Sequence, residues 1–187
     1  MTIRLGLIGY GAIGKHVEAA LKSGGIENLE LVAALVKRPR HEGLLTHEPD
    51  RFFAHRFDAV AECAGHEAVR AHGQRVLEKG ADLLVTSVGA FTDTALFERL
   101  LAAAKANGKR LILPSAGIGL DKTRVVIVAD PTITTHIVEL EATGAFGRFT
   151  FMEDVAVSEE NRKTGKLVAM AMVKSVRQLA STLVVAA

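Results

Sequence analysis

The sequence predicts an open, doubly wound parallel α/β sheet, and three observations carry that expectation. Short apolar runs alternate with amphipathic runs at helical spacing. The amphipathic runs close on glycine, at Ser23-Gly24-Gly25, Gly80 and Gly108. The first apolar run passes straight into the first amphipathic run through Gly9-Tyr10-Gly11-Ala12-Ile13-Gly14. Strands that alternate with helices pair in parallel through right-handed crossovers. At 187 residues, 49% hydrophobic and 24% charged, the chain has the apolar content to bury a full core.

The first strand holds Ile3, Leu5, Leu7 and Ile8, and the first helix carries Ile13, Val17, Ala20 and Leu21 on one face. Between them each glycine has its own task. Gly9 allows the tight turn, Gly11 lets backbone approach a pyrophosphate, and Gly14 lets helix and strand pack closely. The free N–H groups at the helix start, around Ala12 and Ile13, then face an anion. Dinucleotide binding is the expected function of this turn. Leu29 to Val36 follows as a nearly continuous apolar strand, buried on both faces. An NAD-preferring site places an acid near its end for the ribose 2′-hydroxyl. Here the chain reads Lys37-Arg38-Pro39-Arg40. These cations would accept a 2′-phosphate, so both NAD and NADP stay open; a solvated basic loop is the other reading.

The polar stretch from His41 to Arg56 has no clear period, and the spacing of His41, His47 and His55 matches no metal-ligand pair. No metal is expected. A third strand at Asp58 to Ala64 leads into a helix reaching about Lys79; a fourth, Asp82 to Val88, leads into a helix from about Asp93 to Asn107; a fifth covers Lys109 to Pro114. Three successive strands thus end in small residues: Cys63-Ala64-Gly65 with His66, Ser87-Val88-Gly89, and Ser115-Ala116-Gly117 running on to Gly119. Ligands bind at the carboxyl edge of such sheets, and small residues leave room for a flat nicotinamide ring. Cys63 reads as a packed thiol, without a base to make it a nucleophile. His66 is expected to begin the next helix and hold the cofactor loop, with an acid/base role as its alternative.

The grammar changes after Leu120. Two alternating segments, about Thr135 to Thr143 and Arg148 to Val157, flank Gly144-Ala145-Phe146-Gly147 and read as an antiparallel hairpin. A last helix, Lys163 to Ser181, recurs at Ala169, Met172, Val173 and Val176. The expected organisation is a Rossmann-type NAD(P)-binding domain over 1–119 and a small α+β domain over 120–187, whose last helix packs back on the first. A net charge of +2 gives no ground for nucleic acid or an acidic membrane as partner. A single cysteine and the absence of any long apolar stretch or leader pattern point to the cytoplasm.

Together with the glycine turn, Glu62-Cys63-Ala64-Gly65-His66, Ser87-Val88-Gly89-Ala90, Ser115-Ala116-Gly117-Ile118-Gly119 and Ala129-Asp130-Pro131 resemble the L-aspartate dehydrogenase family. Gly144-Ala145-Phe146-Gly147 and Asn161-Arg162-Lys163-Thr164 extend the resemblance over nearly the whole chain. It implies NAD(P)-dependent oxidative deamination of L-aspartate to iminosuccinate or oxaloacetate, feeding NAD biosynthesis, in a homo-oligomer. The family's long segment between two glycine patches has no counterpart here; the patches are fused at Ser115 to Asp121. The family's catalytic histidine follows Asp-Pro on a strand. Ungapped, Val138 takes its position, whereas His136 lies two residues away on the same strand face. His136 is the catalytic candidate. Aspartate's carboxylates need cations or hydroxyls, and Lys163 and Thr164 at the start of the last helix offer both. An NAD(P)-binding module without dehydrogenase activity, and a dehydrogenase or reductase of homoserine or dihydrodipicolinate type, are the alternatives.

Overall fold

The computed structural model describes residues 2–24, 26–39, 43–113, 124, 126, 128, 130–144, 147–159 and 165–181. Six parallel strands form the main sheet: β1 (Ile3–Ile8), β2 (Leu29–Leu35), β3 (Leu45–Thr46), β4 (Ala59–Glu62), β5 (Asp82–Val85) and β6 (Leu111–Ile112), in the order β3-β2-β1-β4-β5-β6. The order reverses between β1 and β4, which opens a crevice at their carboxyl ends. Helices α1 (Ala12–Lys22), α3 (His66–Glu78) and α4 (Thr94–Ala106) make the crossovers, and a 3-10 turn at Val88–Thr92 precedes α4.

The period-two alternation of β1 divides the core. Leu5 and Leu7 face one side with Val17 of α1, while Ile8 faces the other with Val69, Val76 and Leu77 of α3 and Leu96 and Leu100 of α4. The stretch from His41 to Arg56, without period in the sequence, contains β3 and the short helix α2 (Pro49–Phe53). Phe52 is fully buried and stacks on Phe57, with ring centroids 4.6 Å apart. Gly6 of β1 leaves the room: a methyl group there would come within 2.9 Å of both rings. The anchor is a contact between distant segments, which no local pattern announces. Strand β4 stops at Glu62, two residues short of the expected end, so Cys63 and Ala64 belong to the loop.

Strands β7 (Thr135–Gly144) and β8 (Gly147–Ala156) form an antiparallel hairpin, with His136 opposite Val155 and Gly144 opposite Gly147. The last helix, α5 (Lys166–Leu179), packs along α1. Its Met172 and Val176 are fully buried among Leu5, Leu7, Val17 and Leu84. Truncating Met172 to alanine is expected to cost about 2–5 kcal/mol, seen as a lower urea midpoint with an unchanged slope.

The direction of α5 matters for the site. Leu179 at its carboxyl end lines a cleft with Thr2, Ile3, Asn28 and Asp58, at the amino ends of β1, β2 and β4. A helix of 14 residues spans about 21 Å. Its first turn therefore lies toward the opposite edge of the sheet, where the strands end.

Candidate functional site: the carboxyl edge of the sheet

Gly9 has φ +100°, a conformation that favours glycine, and a methyl group on it would lie 2.7 Å from the Cys63 carbonyl. Gly14 is buried, and a methyl group there would collide with the Gly9 carbonyl oxygen. Around Gly11, by contrast, nothing lies within 4 Å of the added carbon. Two glycines are thus required by the protein itself and the third leaves open space. Gly11 is the N-cap of α1, without a side-chain cap and without an acid in the first turn. The first N–H groups of the helix, at Ala12 and Ile13, keep their capacity for an anion.

Helix α3 begins in the same way: its N-cap is Gly65, φ +135°, again without a side-chain cap. Only α4 is capped by a side chain among these three helices, with Asp93 accepting from the Leu96 N–H at 3.0 Å. The two helices that flank the crevice are the two left uncapped. Tyr10 is latched to α1, its hydroxyl donating to Glu18. That bond holds the Glu18 carboxyl below the usual range, with Lys22 at 3.0 Å adding to it against the effect of burial.

The ends of β4 and β5 meet at Glu62. This carboxylate, 1% exposed, accepts the N–H groups of Ala64 and Gly65 at 2.7 Å each, the Ser87 N–H at 3.1 Å and the Ser87 hydroxyl at 3.0 Å. It locks the loop of Cys63, Ala64 and Gly65 to Ser87. Sequence reasoning missed this role; the available signal was an acid inside an apolar strand. His66 opens α3, and its ring underlies Gly89, with Nε2 2.8 Å from where a methyl group there would sit. Val88 starts the 3-10 turn beside it. Burial pushes the Cys63 thiol well above its ordinary range, with the charge of Glu62 adding to the shift, and both effects disfavour the thiolate that a nucleophile needs.

Lys37 and Arg38 follow β2 at the same edge and are both exposed. His136, near the start of β7, is half-buried, its Nδ1 3.6 Å from where a methyl group on Gly165 would lie. Gly165 is the N-cap of α5. The direction of α5 thus brings His136 toward the edge that carries the glycine turn. Val138 points to the same hairpin face, 43% exposed. Ala116, Gly117, Lys163, Thr164 and Arg40 lie outside the described residues, as does the expected domain boundary at Gly119. Among the described residues no group of three or more His, Cys, Asp and Glu could hold a metal, and no helix is long and apolar enough to cross a membrane.

The strand order, the reversal between β1 and β4, and an uncapped helix opening on an unobstructed glycine define a dinucleotide-binding domain of dehydrogenase type. Residues 9–114 match the family described as homoserine dehydrogenase, NAD binding domain, and residues 111–179 match aspartate dehydrogenase, C-terminal. The chain belongs to the L-aspartate dehydrogenase family.

An L-aspartate dehydrogenase of Ruegeria pomeroyi is 26% identical over 257 residues, covering 94% of this chain and 92% of that one. Some 257 aligned positions drawn on 94% of 187 residues leave about 80 without a counterpart here. L-aspartate dehydrogenase 2 of Bordetella bronchiseptica is 38% identical over 139 residues, 70% of this chain. The chain spans about half the length of that relative, 51%. The crystal structure of an aspartate dehydrogenase from Thermotoga maritima shares the fold, with TM-score 0.66, 18% identity, and coverage of 99% of this chain and 100% of that one.

Proposed function

We propose that this chain is an NAD(P)-dependent oxidoreductase that deaminates L-aspartate oxidatively to iminosuccinate, with oxaloacetate as the hydrolysis product. The observation that carries the reading is the crevice between β1 and β4, where the open N-terminus of α1 meets the Glu62-locked loops. The residues fit a dinucleotide: open space at Gly11 admits the pyrophosphate, and the exposed Lys37 and Arg38 suit the adenosine ribose or its 2′-phosphate. A nicotinamide held there would supply the acceptor for hydride from the substrate's α-carbon.

The chain's own residues do the rest. Small residues at 63–65 and 87–89 leave room for the ring. His136 takes a proton as the amine becomes an imine, or as water adds to that imine. Lys163 and Thr164, which precede α5 in the sequence, meet the substrate carboxylates. The product would feed pyridine nucleotide biosynthesis. A cytoplasmic homo-oligomer is the expected state: Cys63 is the single cysteine, and the hairpin exposes Val138, Phe149 and Phe151 on one face.

NAD and NADP are titrated into the full chain, followed by an absorbance assay at 340 nm with L-aspartate. Cofactor binding and aspartate-dependent reduction are the expected results. Binding without reduction would make the chain a nucleotide-binding module, a reading favoured by the roughly 80 positions it lacks beside its Ruegeria relative. Reduction with homoserine but not aspartate would decide for the other dehydrogenase type. In the same titration, the double variant Lys37→Ser, Arg38→Ser is expected to lose about tenfold in NADP affinity with NAD nearly unchanged. Equal losses for both would assign these cations to a solvated loop.

A further inference from the structure

We propose that Glu62 sets the preference of this site for the oxidised over the reduced nicotinamide. The proposal rests on the cofactor reading above. Glu62 is the last residue of β4, in register with Ile8 of β1 and Val85 of β5, and so lies at the crevice itself. Its four partners, the N–H groups of Ala64, Gly65 and Ser87 and the Ser87 hydroxyl, all donate to it. Such acceptor-only bonding is that of a carboxylate. All four donors are neutral, so the bonds solvate the charge without cancelling it. Its field reaches its neighbours, for it helps push the Cys63 thiol upward.

The same bonds consume the N–H groups of Ala64, Gly65 and Ser87. This part of the crevice therefore offers an anion little, whereas the start of α1 keeps its donors. The polarity of the crevice is divided: helix N–H groups at the end suited to phosphate, and a buried negative charge beneath the loops suited to the ring. An oxidised nicotinamide ring carries a positive charge and a reduced one does not. A fixed, partly desolvated carboxylate stabilises the first and leaves the second nearly indifferent. Tying two loops together needs no net charge; favouring the cationic ring does.

The test measures dissociation constants of NADP+ and NADPH for the full-length chain and its Glu62→Gln and Glu62→Asp variants, by calorimetry, with a thermal melt of each. In the wild type, NADP+ is expected to bind at least as tightly as NADPH. Glu62→Gln should weaken NADP+ about tenfold, the order of one charge pair across a partly buried site, and NADPH by no more than about twofold. Tenfold corresponds to a shift of about 30 mV in the bound couple, toward easier reduction. Glu62→Asp keeps the charge and should keep the ratio. Equal weakening of both forms in Glu62→Gln would overturn the proposal and leave a purely structural role. If that variant does not fold, the wild type still decides, because NADPH binding tenfold tighter than NADP+ would overturn it. A wild type that binds neither form would overturn the cofactor reading and this proposal with it.

Discussion

Gly11→Asp is expected to leave the chain as stable as before, or more so, while lowering NAD(P) affinity about a hundredfold or more. Gly11 caps α1 with φ −91°, which any residue adopts, and nothing lies within 4 Å of an added carbon. Aspartate is among the preferred N-cap residues, and its charge suits the positive end of the helix. The same carboxylate would occupy the space and satisfy the donors that a pyrophosphate needs, and would repel it. Gly14→Ala has the opposite signature. Alanine inside a helix ordinarily gains about 1 kcal/mol over glycine, but here its methyl group meets the Gly9 carbonyl oxygen, part of a turn that cannot yield. A net loss of about 3 kcal/mol is expected, or near 10 °C in Tm for a chain of this size. A thermal melt and a cofactor titration on both variants check the pair. Parallel behaviour of the two would sink this assignment of the three glycines.

The second large effect concerns His136. Replacing it with glutamine is expected to lower kcat for aspartate oxidation by about 10²–10⁴-fold, the usual weight of a general acid/base. Cofactor affinity should stay within a factor of about two, since the dinucleotide is held by the sheet domain. The side chain is half-buried against Gly165 rather than packed in either core cluster, so Tm should move little. Single-turnover measurements with saturating cofactor separate this loss from binding. An unchanged rate would reduce His136 to a packing contact at the head of α5 and pass the proton to another residue, with His66 the next to test.

The parts of the molecule that the sequence disclosed are those governed by short-range physics. Alternating apolar runs gave β1, β2, β4 and β5, and glycine gave the turn at Gly9 and the stops after α1, α3 and α4. What stayed hidden depends on segments far apart in the chain. Phe52 and Phe57 fill a hollow left by Gly6, more than forty residues away, so a stretch that read as polar carries a strand, a helix and an aromatic anchor. Glu62 could be seen as an acid in an apolar strand, but its partners on Ser87 arrive only when β4 and β5 pair. The place of His136 follows from the direction of α5, a property of packing and not of spacing. Ala116, Gly117, Lys163 and Thr164 remain readings of the sequence alone.

The packing of α5 along α1 has a consequence for how this chain tolerates being shorter than its Ruegeria relative. The helix works as a ruler: one end is seated in the core among Leu5, Leu7 and Val17, and the other carries the glycine against which His136 rests. The separation between the glycine turn and the histidine is then set by a rigid rod of fixed pitch, whatever length of chain connects them. The gauge does not depend on the roughly 80 aligned positions of that relative that have no counterpart here. One residue inserted in the middle of α5 would turn its buried stripe by about 100°, and should disturb the alignment more than the absence of those positions does.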